Sequence, residues 1–412
     1  MAYQFTTNLS PSEFDRFAKN HPLASILQTS GWADVKKEWT SYFTGVLSEG
    51  KVIAASLVLV RRLPLGFTLF YLPRGPLLDL QDSDLCTFYF SELKQFAKKQ
   101  RAISIKIDPN IVISALPYDE YQQSKPITAH PLVDVLKAYG FIHKGFNRDL
   151  TSTAQPRFAA VIYKSQPESD WRNSPGGKQA RKAEKKGVEI VQKQNAVGEF
   201  APLMGYTSKR KQLYLRNQEY YQRLVDAFVS DHHFIFSKLN LKEYLLRCET
   251  EAKDCEKQFR NPDVKEKNLS VTKTRYQSLQ KEIARVKQFI AEDGDEVLLS
   301  GSLMVKDKKA CYFLYSGFND KYQRYLGPDY AQIAKLEWAF SQAVEKADFG
   351  GVPGSLDDGI AKYKLSFHPY IDEYLGEFDL PVKKWLYPLF EHFLPKAKLW
   401  VMKWARRRNR HA

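Results

Sequence analysis

EVLLSGSLMVKDKKACYFLYSGFNDKYQRYLGPDYAQIAKLEWAFSQAVEKADF, residues 296–349, breaks into four parts. Glu296 to Val305 and Ala310 to Tyr315 are β-rich runs separated by a turn, a helical stretch spans about Tyr330 to Glu345, and a short β-like run follows at Ala347 to Phe349. The same order occurs earlier: Lys51 to Val60, Phe67 to Leu72, a helical stretch from about Leu85 to Lys99, and a strand from Ala102 to Ile107. Two copies of β, β, long helix, β at similar spacing predict an internal duplication of one α/β unit.

Between the copies the periodicity changes. Leu241, Leu245, Cys248, Ala252, Cys255 and Phe259 repeat at intervals of four and three, as do Leu269, Thr272, Tyr276, Leu279, Ile283, Val286 and Ile290. Each is a heptad seam, and Asn261-Pro262-Asp263 stops the first helix. The pattern predicts an antiparallel coiled-coil arm over 240–293, each helix about 30 Å long. One reading makes it a stabilising or dimerising element, the other a lever that touches a long partner.

The chain has 412 residues, enough for two or three domains, and its 43% hydrophobic content is globular. Sixty-two Lys and Arg against 47 Asp and Glu give a net charge of +15, which points to an anionic partner. Over half of that excess lies in residues 383–412, with nine Lys/Arg, one acid (Glu391), and Trp385, Leu389, Trp400 and Trp404 among the large apolar groups. Such a segment reads either as an interfacial membrane anchor or as a packed helix with a basic tag. Cys86, Cys248, Cys255 and Cys311 form no CxxC pair, so neither a zinc site nor a disulfide framework is expected, and no metal or cofactor is assigned. The opening MAYQFTTNLSPSEFDRF has no signal-peptide pattern and no apolar run reaches membrane-spanning length, so a cytoplasmic location is expected.

No GxxxxGK[ST] loop, GxSxG elbow, HExxH motif or paired metal-ligand cluster is present, so hydride, ATP and zinc chemistry have no support. Twin α/β units with a helix after antiparallel strands suggest acetyltransferase-like (GNAT-like) domains. Acetyl-CoA enzymes cradle pyrophosphate at a helix N-terminus. The corresponding Arg324-Tyr325-Leu326-Gly327-Pro328-Asp329 has a proline that lacks one N–H donor and an acid where phosphate would sit.

Four stretches carry a specific resemblance. They are Gln28-Thr29-Ser30-Gly31-Trp32-Ala33-Asp34-Val35-Lys36 with Trp39, and Leu63-Pro64-Leu65-Gly66 to Arg74-Gly75-Pro76. The others are Lys209 to Tyr221, and 349–380 with Phe349-Gly350-Gly351-Val352, Tyr363-Lys364 and Gly376-Glu377-Phe378. The chain resembles the FemABX family of peptidoglycan aminoacyltransferases, most closely its MurM-type branch. The resemblance implies two domains on twinned acetyltransferase-like units. It also implies transfer of an amino acid, Ala or Ser, from aminoacyl-tRNA to the stem-peptide lysine amine of lipid II, without metal or ATP. It sets expected boundaries at 1–153, completed by 377–412, and 154–376 with the arm inserted.

Residue by residue, the resemblance makes Lys36 and Arg216 the cations that meet the diphosphate of the acceptor, with Trp39 and Tyr220 beside them. Trp32, Lys36 and Trp39, at i, i+4 and i+7, are expected on one helical face, as are Arg216 and Tyr220 at i and i+4. Without the resemblance they read as a core stripe with a snorkelling lysine and as a solvated arginine. Lys364 matches the residue that stabilises the oxyanion of amine attack on an ester. Its neighbour Tyr363 stands where the family has Phe. Tyr315 matches a substrate-side tyrosine, and Asp108 is a weak candidate for a carboxylate that takes a proton. Two other readings remain at this stage: an RNA-binding module using the arm and the basic run Lys178 to Lys186, and a CoA-dependent N-acetyltransferase. The reading also expects contact with the anionic inner leaflet of the membrane.

Overall fold

The computed structural model describes residues 3–211, 216–260 and 266–391. The described strands, numbered in chain order, form two sheets. The first runs β1 (Tyr3–Thr6), β2 (Thr40–Ser48), β3 (Lys51–Arg62), β4 (Thr68–Leu72), β5 (Ala102–Ile107), β15 (Phe378–Pro381), β7 (Ile142–His143). The second runs β6 (Val112–Pro117), β14 (Tyr370–Tyr374), β8 (Phe158–Tyr163), β13 (Lys346–Val352), β12 (Ala310–Phe318), β11 (Glu296–Lys306), β10 (His232–Asn240), β9 (Val188–Lys193).

The duplication is visible in the topology. β3 pairs antiparallel with β4, the Ser83–Lys99 helix crosses over, and β5 returns parallel to β4. β11, β12, the Gly327–Ser341 helix and β13 repeat this sequence of pairings. Each helix starts where local chemistry allows it: the Asp82 side chain accepts from the Leu85 N–H, and Pro328 occupies a first-turn position where no intrahelical N–H partner is needed. The fold is mixed α/β, built on two units of similar topology.

The two copies differ at the parallel pair. β4 and β5 stay paired to Leu72 and Ile107. β12 and β13 pair over Ala310–Tyr312 against Lys346–Asp348, while both strands continue well beyond that register. The gap between their diverging ends opens the cavity described below.

Two of the chain's passages between the sheets run side by side. β5 continues through Asp108 into β6, and β14 continues through Gly376 into β15. These segments pair antiparallel at both ends, Ile107 with Phe378 and Val112 with Tyr374, and the Leu375 N–H donates to the Ile111 carbonyl at 2.9 Å between them. Residues 104–117 and 370–381 thus form one ladder that passes from the first sheet into the second. Val112–Pro117, inside the segment expected in the first domain, therefore lies at the edge of the second sheet, because the chain changes sheets directly after β5. Phe378–Pro381 lies in the first sheet.

The Leu241–Phe259 and Glu266–Asp293 helices leave from β10 and return to β11 as an antiparallel hairpin, with Glu249 opposite Lys287 and Glu251 opposite Arg275. Cys248, Ala252, Cys255, Leu279 and Ile283 are buried between them, and Phe289, outside the heptad positions, joins a second cluster over the sheet. The Asn261-Pro262-Asp263 turn lies outside the described residues, as do 392–412 of the basic tail. In the described part of the tail Tyr387 is buried and donates to Asp379 at 2.9 Å, while Trp385 is 69% and Leu389 49% exposed. No helix among the described residues is long and apolar enough to cross a membrane.

Beside the ladder, the Arg157 guanidinium and the Glu373 carboxylate form an ion pair with both groups buried. Removing one partner of such a pair strands the other charge. Arg157→Met is expected to lower unfolding free energy by about 3–5 kcal/mol, and adding Glu373→Gln to recover part of it. Denaturant titration of the two variants checks this, and equal stability of Arg157→Met and the parent would show that the pair does not hold the ladder.

Candidate functional site

The site is built from both halves of the chain. Thr29 caps the Ser30–Val35 helix by accepting from the Trp32 N–H at 3.2 Å. That helix lies against the Gln218–Ala227 helix, whose cap is Asn217. Gly31 permits the approach: a Cβ there would meet the Ala227 carbonyl oxygen at 2.9 Å. Trp32, Phe200, Tyr220, Tyr221 and Phe234 share one core with Leu57 and Leu303 from the two sheets.

At the rim of this shared core stands a basic aromatic cluster. Lys36 Nζ donates to the Tyr220 hydroxyl at 3.2 Å and lies 5.0 Å from the Trp32 ring and 5.1 Å from the Tyr220 ring. The Arg216 guanidinium lies 4.8 Å from the Tyr220 ring, and Arg223 5.5 Å. The Tyr315 hydroxyl comes within 3.5 Å of the Tyr220 hydroxyl. Burial, then the positive charge of Arg216, pushes Lys36 down to about 8, with Glu38 opposing. Burial raises Tyr220 well above its ordinary value, so it stays a neutral phenol. Three cations converging on neutral hydroxyls and aromatic faces can take a phosphate or diphosphate.

The structure thus brings together Lys36, Arg216, Tyr220 and Tyr315, but not by the helical spacing expected. The first helix ends at Val35, so Lys36 is its cap and Trp39 follows a turn, packed on Tyr71 at 6.4 Å and Arg61 at 5.8 Å. Arg216 precedes the cap of its helix and reaches Tyr220 from outside it. Asp108 lies at the sheet crossing, 3% exposed. Tyr71 donates to one oxygen at 2.7 Å and the Arg74 N–H to the other at 2.6 Å. Burial pushes it up to about 6. Each oxygen thus has a hydrogen-bond donor at the crossing.

Next to this cluster lies a cavity of about 860 Å³ in the second unit, between the parted ends of β12 and β13. Tyr315 reaches the cluster, while its neighbours Leu314 and Ser316 line the cavity. Lys364, on the Gly359–Leu365 helix capped by Asp358, donates to the Gly351 carbonyl at 2.8 Å. Gly350 has φ +81°, and a Cβ on it would meet Lys364 Nζ at 3.5 Å. Tyr363, replacing the family's Phe, puts its ring edge-on to Phe367 and donates to the Pro328 carbonyl at 2.9 Å, tying the helix to the opposite wall.

That wall also answers the acetyl-CoA reading. Pro328 has no N–H, and the N–H groups of Asp329 and Tyr330 are bonded to the Leu326 carbonyl at 3.2 and 3.3 Å. Asp329 lines the cavity, pushed up to about 6 by burial. Little remains to cradle a pyrophosphate.

Sequence reasoning passed over Lys335 and Gln332, which are 4% and 3% exposed and line the cavity from the Gly327–Ser341 helix. A signal was present: Lys335 shares a stripe at i±4 with Ala331 and Ala339, both buried.

A model of the FemAB family matches residues 9–394. The chain is 29% identical to a lipid II:glycine glycyltransferase of Staphylococcus haemolyticus (strain JCSC1435), over 95% of this chain and 97% of that protein. It is 25% identical to one of Staphylococcus aureus (strain MSSA476), over 97% and 99%. The crystal structure of FemX superposes with a TM-score of 0.73 at 25% identity, covering 95% of this chain and all of that one.

Lys36→Met and Arg216→Met each remove a cation whose hydrogen bonds to an anion are worth about 1.5–3 kcal/mol, so each is expected to weaken a diphosphate-bearing ligand by about 10- to 100-fold. Because the protonated amine does the binding, wild-type affinity should also fall as pH rises through about 8, and Lys36→Met should lose that dependence. Calorimetric titration with a diphosphate-linked sugar checks both, and unchanged affinity in both variants would sink the assignment.

Proposed function

The chain belongs to the FemAB family, and on that premise we propose that it is an aminoacyltransferase acting on lipid II, moving Ala or Ser from aminoacyl-tRNA to the stem-peptide lysine amine. The observation that carries the reading is the pairing of two adjoining sites with different chemistry. One is a cluster of cations suited to a diphosphate, and the other is a cavity with Lys364 in its wall. An acceptor anchored at Lys36 and Arg216 can extend its amine past Tyr315 toward an ester held in the cavity.

Amine attack on an ester passes through a tetrahedral oxyanion. A fixed cation beside that oxygen stabilises the transition state more than the ground state. Lys364 is held in place by the Gly351 carbonyl, and the Gly351 position has no room for a side chain, since a Cβ would meet Pro156 at 2.4 Å. The ester of aminoacyl-tRNA is already activated, so ATP has no part in the step. The full set of cations, the cavity and the family membership speak against a non-catalytic RNA-binding module, and the occupied helix N-terminus speaks against acetyl-CoA.

The identity of the transferred residue rests on the resemblance to the MurM-type branch; the two staphylococcal relatives are named for glycine. Incubating the protein with radiolabelled alanyl-, seryl- or glycyl-tRNA and lipid II tests the reading. Label entering lipid from the alanyl or seryl donor supports it, from glycyl-tRNA corrects the donor, and from none removes it.

Lys364→Ala is expected to lower kcat by about 10²–10³-fold while both substrates still bind, since the cation acts when charge develops. Single-turnover kinetics with saturating substrates reads this, and wild-type turnover in the variant would make Lys364 structural.

The same reading puts the protein at the inner face of the membrane, where lipid II is anchored. Exposed Trp385 and Leu389 beside Lys383 and Lys384 support it. Co-sedimentation with anionic vesicles should weaken with salt, because charge is screened over about 10 Å at 0.1 M, and should fall sharply on removal of 396–412. Equal binding with and without these residues would remove the tail from the contact.

A further inference from the structure

Lys335 is a lysine in a core position. It is 4% exposed, its Nζ lies 4.8 Å from the face of the Phe313 ring, and it lines the same cavity as Lys364. Phe313 stacks on Phe349, next to Gly350, against which Lys364 Nζ lies. A buried ammonium normally faces a carboxylate. Here the titratable groups acting on Lys335 are Lys364, from the Gly359–Leu365 helix, and the thiol of Cys311, from β12. Burial raises that thiol, so it is uncharged at neutral pH. The acids in the neighbourhood are engaged elsewhere. Asp348 of β13 accepts from the Gly350 N–H and faces Lys346 and Lys364, Asp358 accepts from the Ala361 N–H, and Asp329 sits at the first turn of the helix.

Two lysines lining one cavity do not both hold a proton cheaply. Their surroundings differ. Lys364 has the Gly351 carbonyl as acceptor; Lys335 has an aromatic ring and a like charge nearby. Pairs of titratable groups pushed apart in this way mark an acid–base division of labour.

Building on the aminoacyl-transfer reading, we propose that Lys335 is the proton acceptor of the reaction, with Lys364 as the oxyanion partner. The neutral acceptor amine adds to the ester carbon, a C–N bond forms, and the carbonyl oxygen becomes an oxyanion facing Lys364. The new nitrogen then carries a positive charge, and the Lys335 amine takes one of its protons. The oxyanion re-forms the carbonyl, the bond to the ribose oxygen breaks, and that oxygen leaves with the proton from Lys335. The amine is regenerated, and ester plus amine has become amide plus alcohol.

Burial first, and then Lys364, pushes Lys335 down to about 7, so both its forms are populated at neutral pH and it can accept and return a proton in each cycle. A lysine at its ordinary value would already be protonated and could not accept.

The test uses full-length enzyme with saturating aminoacyl-tRNA and lipid II, and reads kcat across neutral pH. In wild type, kcat should fall as pH drops below about 7, where Lys335 becomes charged. Lys335→Met should lose about 10²–10⁴-fold in kcat and lose that inflection. Lys335→Arg, which keeps a cation that cannot deprotonate, should be impaired as severely. Small primary amines in the buffer should restore part of the turnover of Lys335→Ala, in step with their basicity. Wild-type turnover in Lys335→Arg, or an unchanged inflection in Lys335→Met, would overturn the proposal while leaving the transfer activity standing. No transfer by wild type would overturn the functional reading and this role with it. A measurement independent of activity guards against misfolded variants: arylation of wild-type Lys335 by fluorodinitrobenzene, followed by peptide mass spectrometry. Half-maximal reactivity near pH 7 supports the proposal, and reactivity that appears only in the ordinary lysine range overturns it.

Discussion

The antiparallel ladder of 104–117 against 370–381 is the constraint on which the other features depend. Two sheets of similar topology could have formed two bodies on a tether. Instead two strands leave each sheet side by side and enter the other, hydrogen-bonded along the way. Polar groups buried at such a crossing must find partners. Asp108 takes the Tyr71 hydroxyl and the Arg74 N–H, Glu377 takes Lys106 and the Ala154 N–H, and Arg157 takes Glu373. The sheets are therefore held in one relative placement by directional bonds rather than by apolar contact alone.

That placement makes the shared core possible. The Ser30–Val35 helix of the first half can bury Trp32 against Tyr220 and Phe234 of the second because the ladder fixes the distance between the sheets. Lys36 and Arg216, 180 residues apart in sequence, then both lie against the Tyr220 ring, close enough for Arg216 to push the Lys36 amine down. The cost of burying Lys36 is offset by two aromatic faces, a hydroxyl and the attraction of Glu38.

The duplication also explains why the cavity sits in one half. In the first unit the parallel strands stay paired and the gap between them is closed. In the second they part after Tyr312 and Asp348, and the ends that no longer pair become walls, with Phe349-Gly350-Gly351 on one side and Leu314 to Phe318 on the other. The same β-β-α-β plan thus gives a closed parallel pair in one copy and a cavity in the other. The helix that crosses over the cavity contributes Lys335, and the short helix beyond β13 contributes Lys364.

The sequence by itself determined what is local. Strand and helix periodicities located the two β-β-α-β runs, the heptad seam located the hairpin, and the motif resemblance named Lys36, Arg216, Tyr220, Tyr315 and Lys364, all of which line the two adjoining sites. These are properties of neighbours within a turn or a strand, or of a pattern that is read residue by residue. What the tertiary structure decided is long-range. It moved Val112–Pro117 to the far sheet, ended the first helix before Trp39, engaged both oxygens of Asp108, and turned a lysine in an apolar stripe into a buried group facing a cavity. Strand exchange depends on pairing between segments more than 250 residues apart, and the protonation of a buried amine depends on which charges the fold brings beside it. Neither is written in the periodicity of the segment concerned.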